Sequence, residues 1–184
     1  IDPGPFERQL DWIAGQYDQR IAKVEPHNRR KVLASGTHAL CAAEHFTGVL
    51  GNWVLNNSWD EMSVDPTLAD LYRWHGAEEV EHRHVSYNVA KYFDMDYLAQ
   101  VFATVAVTVA LVGIVLRGTK FLVNADPTLP NTGYLRLLWK LHRSGERGSI
   151  LTGGMILRAA ARMFERDYNP ATEGDTAQAV AYLA

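Results

Sequence analysis

On a helix, the run Trp74-His75-Gly76-Ala77-Glu78-Glu79-Val80-Glu81-His82 gathers its chemistry onto one strip. At about 100° per residue, His75, Glu78, Glu79 and His82 fall within an arc of roughly 100°, whereas Glu81 and His84 point elsewhere. Imidazole nitrogens beside carboxylate oxygens make a metal-ligand set. Within it, Glu79 and His82 form the Glu-x-x-His pair that carboxylate-bridged dimetal bundles direct inward from one helix. Hard oxygen donors with imidazole suit iron first, then manganese or zinc, and disfavour metals that prefer thiolate.

A further carboxylate, Glu44, shares its wheel face with Leu33, Leu40, Thr47 and Gly51, which predicts that it points into a bundle. A buried carboxylate is either neutralised by a raised pKa or held ionised by a cation or a histidine. If the two helices are antiparallel neighbours, Glu44, Glu79 and His82 converge as metal ligands, with His75 and Glu78 one turn away. Apolar Leu71, Val85 and Val89 continue the His75, Glu78, His82 seam, so the strip is expected to face the core. The competing reading is a solvated face on which Glu and His form surface pairs. His75 serves either as a ligand or as the partner that orients a carboxylate. His45 lies off the Glu44 face and is expected to be a hydrogen-bonded polar residue.

These residues need helices to position them. Apolar residues at Phe6, Leu10, Ile13, Tyr17, Ile21 and Val24 alternate by four and three, the seam of a first helix that Pro26 interrupts. A second runs from about residue 28 to 56 and carries Glu44. Asp65-Pro66 reads as an N-cap followed by proline at the first helical position, opening a third helix to about Phe93. The stretch from Tyr97 to Leu116 contains no charged residue. Its length suits either a buried core helix, the preferred expectation, or insertion into a bilayer. A Pro/Asn/Gly-rich loop follows, then helical stretches at 134–143 and 150–166 and a short tail helix ending near Leu183. No strand pattern or repeat competes. The expected fold is all-α, with residues 1–125 as the bundle core and 126–184 as a helical extension on the same domain.

Composition narrows the function. The chain has 184 residues, 47% of them hydrophobic, and a formal net charge of -3. Its densest basic group is only Arg29-Arg30-Lys31, which gives no nucleic-acid footprint. The lone Cys41 excludes an internal disulfide framework and fits a reducing compartment. No leader pattern follows Ile1, so a cytoplasmic location is expected, with membrane association through 97–116 as the alternative. No nucleophile elbow or phosphate-binding loop supports another enzyme class.

Ala43-Glu44-His45-Phe46-Thr47, followed by Trp74-His75-x-x-Glu78-Glu79-x-Glu81-His82, resembles the bacterial family of predicted metal-dependent hydrolases, over most of the chain. The resemblance implies a ferritin-like dimetal bundle with Glu44, Glu79 and His82 as ligands and His75 and Glu78 in support. It also implies an upstream helix bearing Gln-Glu-x-x-His and a further histidine, relative to which the chain looks N-terminally incomplete. Tyr168-Asn169-Pro170 stands where the family commonly has His-Pro, and Asn88 where an aspartate is usual.

Two chemistries follow. One is hydrolysis through a metal-bound water, with Glu78 as the base. The other, preferred on the donor set, is oxygen-dependent oxidation at one or two iron ions of a hydrophobic small molecule lodged among Leu40, Val85, Val89 and the apolar fourth helix. A noncatalytic metal-binding or membrane-complex subunit is the third reading, and a homo-oligomer is compatible with each.

Overall fold

The computed structural model describes residues 4–184 except 60 and 95; within the first helix, several side chains also lie outside the described residues. The described residues form seven α-helices and no strand: α1 (Gly4–Ala22), α2 (Arg29–Leu55), α3 (Pro66–Tyr92), α4 (Tyr97–Ala125), α5 (Tyr134–Glu146), α6 (Gly153–Arg162) and α7 (Thr176–Leu183). The all-α expectation holds. The proposed seam of α1 from Phe6 to Tyr17 falls on side chains outside the described residues.

Local chemistry places the boundaries. The Asp65 carboxylate accepts from the amides of Thr67 and Leu68 at 2.9 and 3.2 Å, and Pro66, which has no N–H to satisfy, occupies the first turn of α3. Asp96 caps α4 through Ala99 N at 2.9 Å, and Asp175 caps α7 through Ala177 N at 2.8 Å. Between α3 and α4 the chain reverses at Asp94, whose φ of 58° is tolerated by a short polar side chain.

The central packing is the antiparallel pair α2/α3. A Cβ added at Gly51 would lie 2.5 Å from the Gly76 carbonyl oxygen, and one added at Gly76 would lie 2.9 Å from the Gly51 carbonyl oxygen. Only glycine at both positions lets the backbones approach this closely. The core side of α3 is therefore its small-residue face: Ala69, Gly76, Ala77, Val80, Arg83, Tyr87 and Ala90 are buried. Ala77 and Val80 pack with Ala179 of α7, while Tyr87 and Ala90 join Cys41 and Ala42 of α2, Met163 and Tyr168. The Cys41 thiol, pushed up to about 11 chiefly by burial, is a core side chain.

The core-helix expectation for 97–116 is corrected. Gln100 and Thr104 are the buried residues of α4, and only 11% of its most apolar window is buried. Gln100 Nε2 donates to the Met163 carbonyl at 2.6 Å, while Thr104 and Thr108 donate to carbonyls one turn back at 2.8 and 2.7 Å. The Gln100/Thr104 side faces the protein, where Gln100 finds the Met163 carbonyl while the threonines bond within α4, and the Val/Ala/Leu surface is left outside. Among the described residues, α4 is the one helix long and apolar enough to cross a membrane.

Candidate metal centre

The α2/α3 crossing sets two ligand helices side by side. A Cβ on Gly51 would also lie 3.0 Å from Glu79 Cβ, so Glu79 leaves α3 at the point of closest backbone approach. Glu44 lies about two turns earlier on α2. Its carboxyl is pushed above the usual carboxylate range, first by burial, second by the charge of Glu79, with His82 pulling it partly back. Glu44 thus feels both groups of α3 across the crossing. On α3, His75 Nε2 stands 3.5 Å from Glu79 Oε1, and His75 Nδ1 stands 3.8 Å from Glu78 Oε2. Each ring nitrogen of His75 thus faces one of the two carboxylates.

The strip does not face the core, as its seam had predicted. Leu71 and Val85 are 54% and 63% exposed, His75 and His82 are exposed, and Glu44, Glu78 and Glu79 are half-buried. The same holds for Leu33 and Leu40, which flank Glu44. The physical reason is the glycine contact: α3 gains more from seating its small face against α2 and α7 at short range than from burying its Leu/Val seam. Glu44, Glu78, Glu79, His75 and His82 consequently line the outer edge of the α2/α3 pair, rimmed by apolar side chains. The expected interior among Leu40, Val85 and Val89 is instead an open apolar margin.

Among the described residues, no group of three or more His, Cys, Asp or Glu side chains is placed to hold a metal ion, so the expected convergence of Glu44, Glu79 and His82 into one ligand set is not formed. The donor chemistry nevertheless fits a divalent cation. Partial burial and the neighbouring charge of Glu79 make ionisation of Glu44 costlier, which a cation would relieve, and the His82 imidazole acts in the same direction. Glu44, Glu79 and His82 are the residues that would hold it, and the open side of the strip leaves room for further ligands.

Behind the strip lies a polar network that sequence reasoning did not find. His45, 1% exposed, has Nε2 at 2.8 Å from the Ala159 carbonyl and Nδ1 at 2.9 Å from the Tyr168 hydroxyl. The carbonyl only accepts, so Nε2 carries the proton and Tyr168 donates to Nδ1. Burial holds His45 below the ordinary imidazole range despite Glu173, whose Oε1 lies 3.9 Å away. Glu173 accepts two hydrogen bonds of 2.5 Å from the Arg162 guanidinium. Arg83, from the ligand helix itself, donates to the carbonyls of Pro170 and Gly174 at 2.8 and 3.3 Å and to Thr176 Oγ1 at 3.0 Å. Gly174, at φ 115° and packed on Asn52, supplies the turn that brings these acceptors together. The usable signal was spacing: Arg83 continues the Gly76, Val80, Tyr87 series at three and four, although it sits in a charged run.

The expectation for His45, a satisfied polar residue off the Glu44 face, agrees with this network. Tyr168-Asn169-Pro170 belongs to it too: Tyr87 donates to the Tyr168 carbonyl at 2.7 Å, and the Asn169 side chain caps the following turn at Ala171 N, 3.0 Å away.

Searches of curated proteins and of solved structures return no match. A family model described as predicted metal-dependent hydrolase matches residues 7–174, a span that contains the Glu44 face, the His75–His82 strip and the buried network together. With that much of its length covered, the chain belongs to the family of predicted metal-dependent hydrolases.

Proposed function

We propose that this member of a metal-dependent family is a ferritin-like carboxylate/histidine enzyme that oxidises a hydrophobic small molecule with dioxygen. The observation that supports the reading is the Gly51/Gly76 contact, which sets the Glu44 face of α2 beside the Glu79-x-x-His82 face of α3, with the charge of Glu79 helping to raise the Glu44 carboxyl. One inward Glu plus one Glu-x-x-His is half of the dimetal set used by such bundles; an equivalent pair from helices packed over the open strip would complete it. Bound iron would supply redox capacity toward dioxygen. The protein's own contributions are distinct. Glu44 and Glu79 concentrate negative charge where a cation must sit, and His75 orients Glu78 and Glu79 by its two ring nitrogens. Leu40, Leu71, Val85 and Val89 offer an apolar margin to the substrate. Glu78, half-buried within the strip, would accept the proton in this reading.

The second reading, hydrolysis with Glu78 as base, is favoured by the family's description. Anaerobic loading with ferrous iron followed by exposure to oxygen separates the two. Oxidation chemistry gives an optical change that requires both iron and oxygen; its absence, with zinc-supported ester or amide cleavage, transfers the assignment to hydrolysis. Metal uptake with neither activity makes the site noncatalytic. Glu79→Ala is expected to abolish uptake while the helical circular-dichroism signal persists, and full metal stoichiometry in that variant would reject Glu79 as a ligand.

A further inference from the structure

The outer surface of α4 and the start of α5 form one continuous feature that the metal reading does not use. At about 100° per residue, the exposed residues of α4 from Val112 through Leu98, Val109, Phe102, Ala106 and Ala110 to Ile114 occupy an arc of about 200°. Phe102 is 73% and Val109 68% exposed. No Asp, Glu, Lys or Arg interrupts this arc. A single partner helix covers a stripe of about 100° and is flanked by charged positions that set its register. An uncharged arc twice that wide matches an apolar medium.

Charge is confined to the ends. Arg117 and Lys120 lie at the far end of α4, where they line a cleft of about 350 Å³ with Asn124 and Tyr134, the first residue of α5. Lys120 Nζ sits 4.2 Å from the Tyr134 ring centroid. On α5, Leu138, Leu135 and Trp139 form an exposed apolar arc, and Arg143, Arg136 and Lys140 fall within about 60° beside it. An apolar arc with Trp and Leu next to a basic arc is the pattern of a helix lying at a membrane interface. Glu146, which pairs with His142 and Arg143 at 3.5 and 3.9 Å, offsets one of these basic side chains, and Asp126 keeps its charge while bonded to Thr128, but Arg117, Lys120, Arg136 and Lys140 leave this end net basic. The chain as a whole carries a net charge of -3, so this end is basic against the average.

We propose that the protein docks on an anionic phospholipid surface through the outward arc of α4 and the exposed arc of α5, with a headgroup phosphate in the Arg117/Lys120 cleft. The helix lies in the interface and does not span it, because its other side is committed to the protein, with Gln100 and Thr104 buried and Gln100 bonded to the Met163 carbonyl. The proposal stands apart from the metal site, which occupies the outer edge of α2/α3.

Co-sedimentation of the whole chain with vesicles of phosphatidylcholine alone, and of phosphatidylcholine mixed with phosphatidylglycerol, tests it. Binding is expected to the mixed vesicles, to weaken in high salt, and to be released by an alkaline carbonate wash. Arg117→Glu with Lys120→Glu should lower partitioning by about tenfold or more. Phe102→Glu with Val109→Glu should abolish it; both side chains are exposed, so helicity and Glu79-dependent metal uptake should persist. Equal binding to both vesicle types overturns the anionic headgroup assignment, and resistance to carbonate overturns the interfacial placement. Absence of vesicle binding, with a dimer that Phe102→Glu/Val109→Glu disperses, gives the arc to a second copy of the chain instead.

Discussion

At the scale of single residues, Gly51 and Gly76 determine where the candidate ligands stand. A side chain at Gly51 meets backbone, which cannot rotate away, so Gly51→Val must part α2 from α3. A loss of about 2 kcal/mol is expected in urea unfolding, within the usual cost of overpacking. Metal affinity should fall with it, because Glu79 emerges at the same contact. His45 makes a separate prediction. Its folded pKa is depressed below 6.5, so the unfolded chain binds its proton more readily. Stability attributable to neutral His45 is therefore intact above that value and is lost as pH falls from there toward the lower folded value. Urea midpoints measured between about pH 7 and pH 5 should drop in the native chain and stay flatter in His45→Gln.

Among elements, the segment after α6 acts as a strap across α2 and α3, held by Arg83, Arg162, Glu173 and Tyr168. Arg162→Met removes both hydrogen bonds from a carboxylate that is 5% exposed, as a residue. A cost of about 3 kcal/mol is expected, the lower end for breaking a buried ion pair, since Arg162 itself is partly in water and Arg83 remains close. Hydrogen exchange should report it first in α7, which the strap holds against α3. The boundary of α3 offers a milder check. Asp65→Ala deprives two amides of their acceptor and should cost about 1 kcal/mol, visible as a lower melting temperature with unchanged metal binding.

For the whole molecule, the core and the candidate metal centre occupy different sides of α2 and α3. The packing of Ala42, Ala77, Val80, Ala90, Leu137, Ala159 and Met163 does not pass through the Glu44/Glu79/His82 edge. Treatment with a chelator should leave helical content intact. Restoring the ion at about a hundredfold above its Kd should stabilise the chain by about 2.7 kcal/mol, read as a shift in the unfolding midpoint that Glu79→Ala lacks.

What the sequence by itself determined was the set of helices, their caps and the His and Glu residues that share one strip of α3. Capping carboxylates, prolines and a 3.6-residue period are local signals, and Asp65-Pro66 or Asp96 act on amides two or three positions away. Tertiary structure alone decided which face each helix turned inward. On α3 the Leu71/Val85/Val89 seam is the more hydrophobic, yet the Gly76/Ala77/Val80 face is buried, because Gly51 stands opposite and permits close contact. On α4 the polar stripe is buried because Met163 offers it a carbonyl. A period marks out faces; the choice between them belongs to partners distant in the chain, through packing distance and hydrogen bonds that no local pattern encodes.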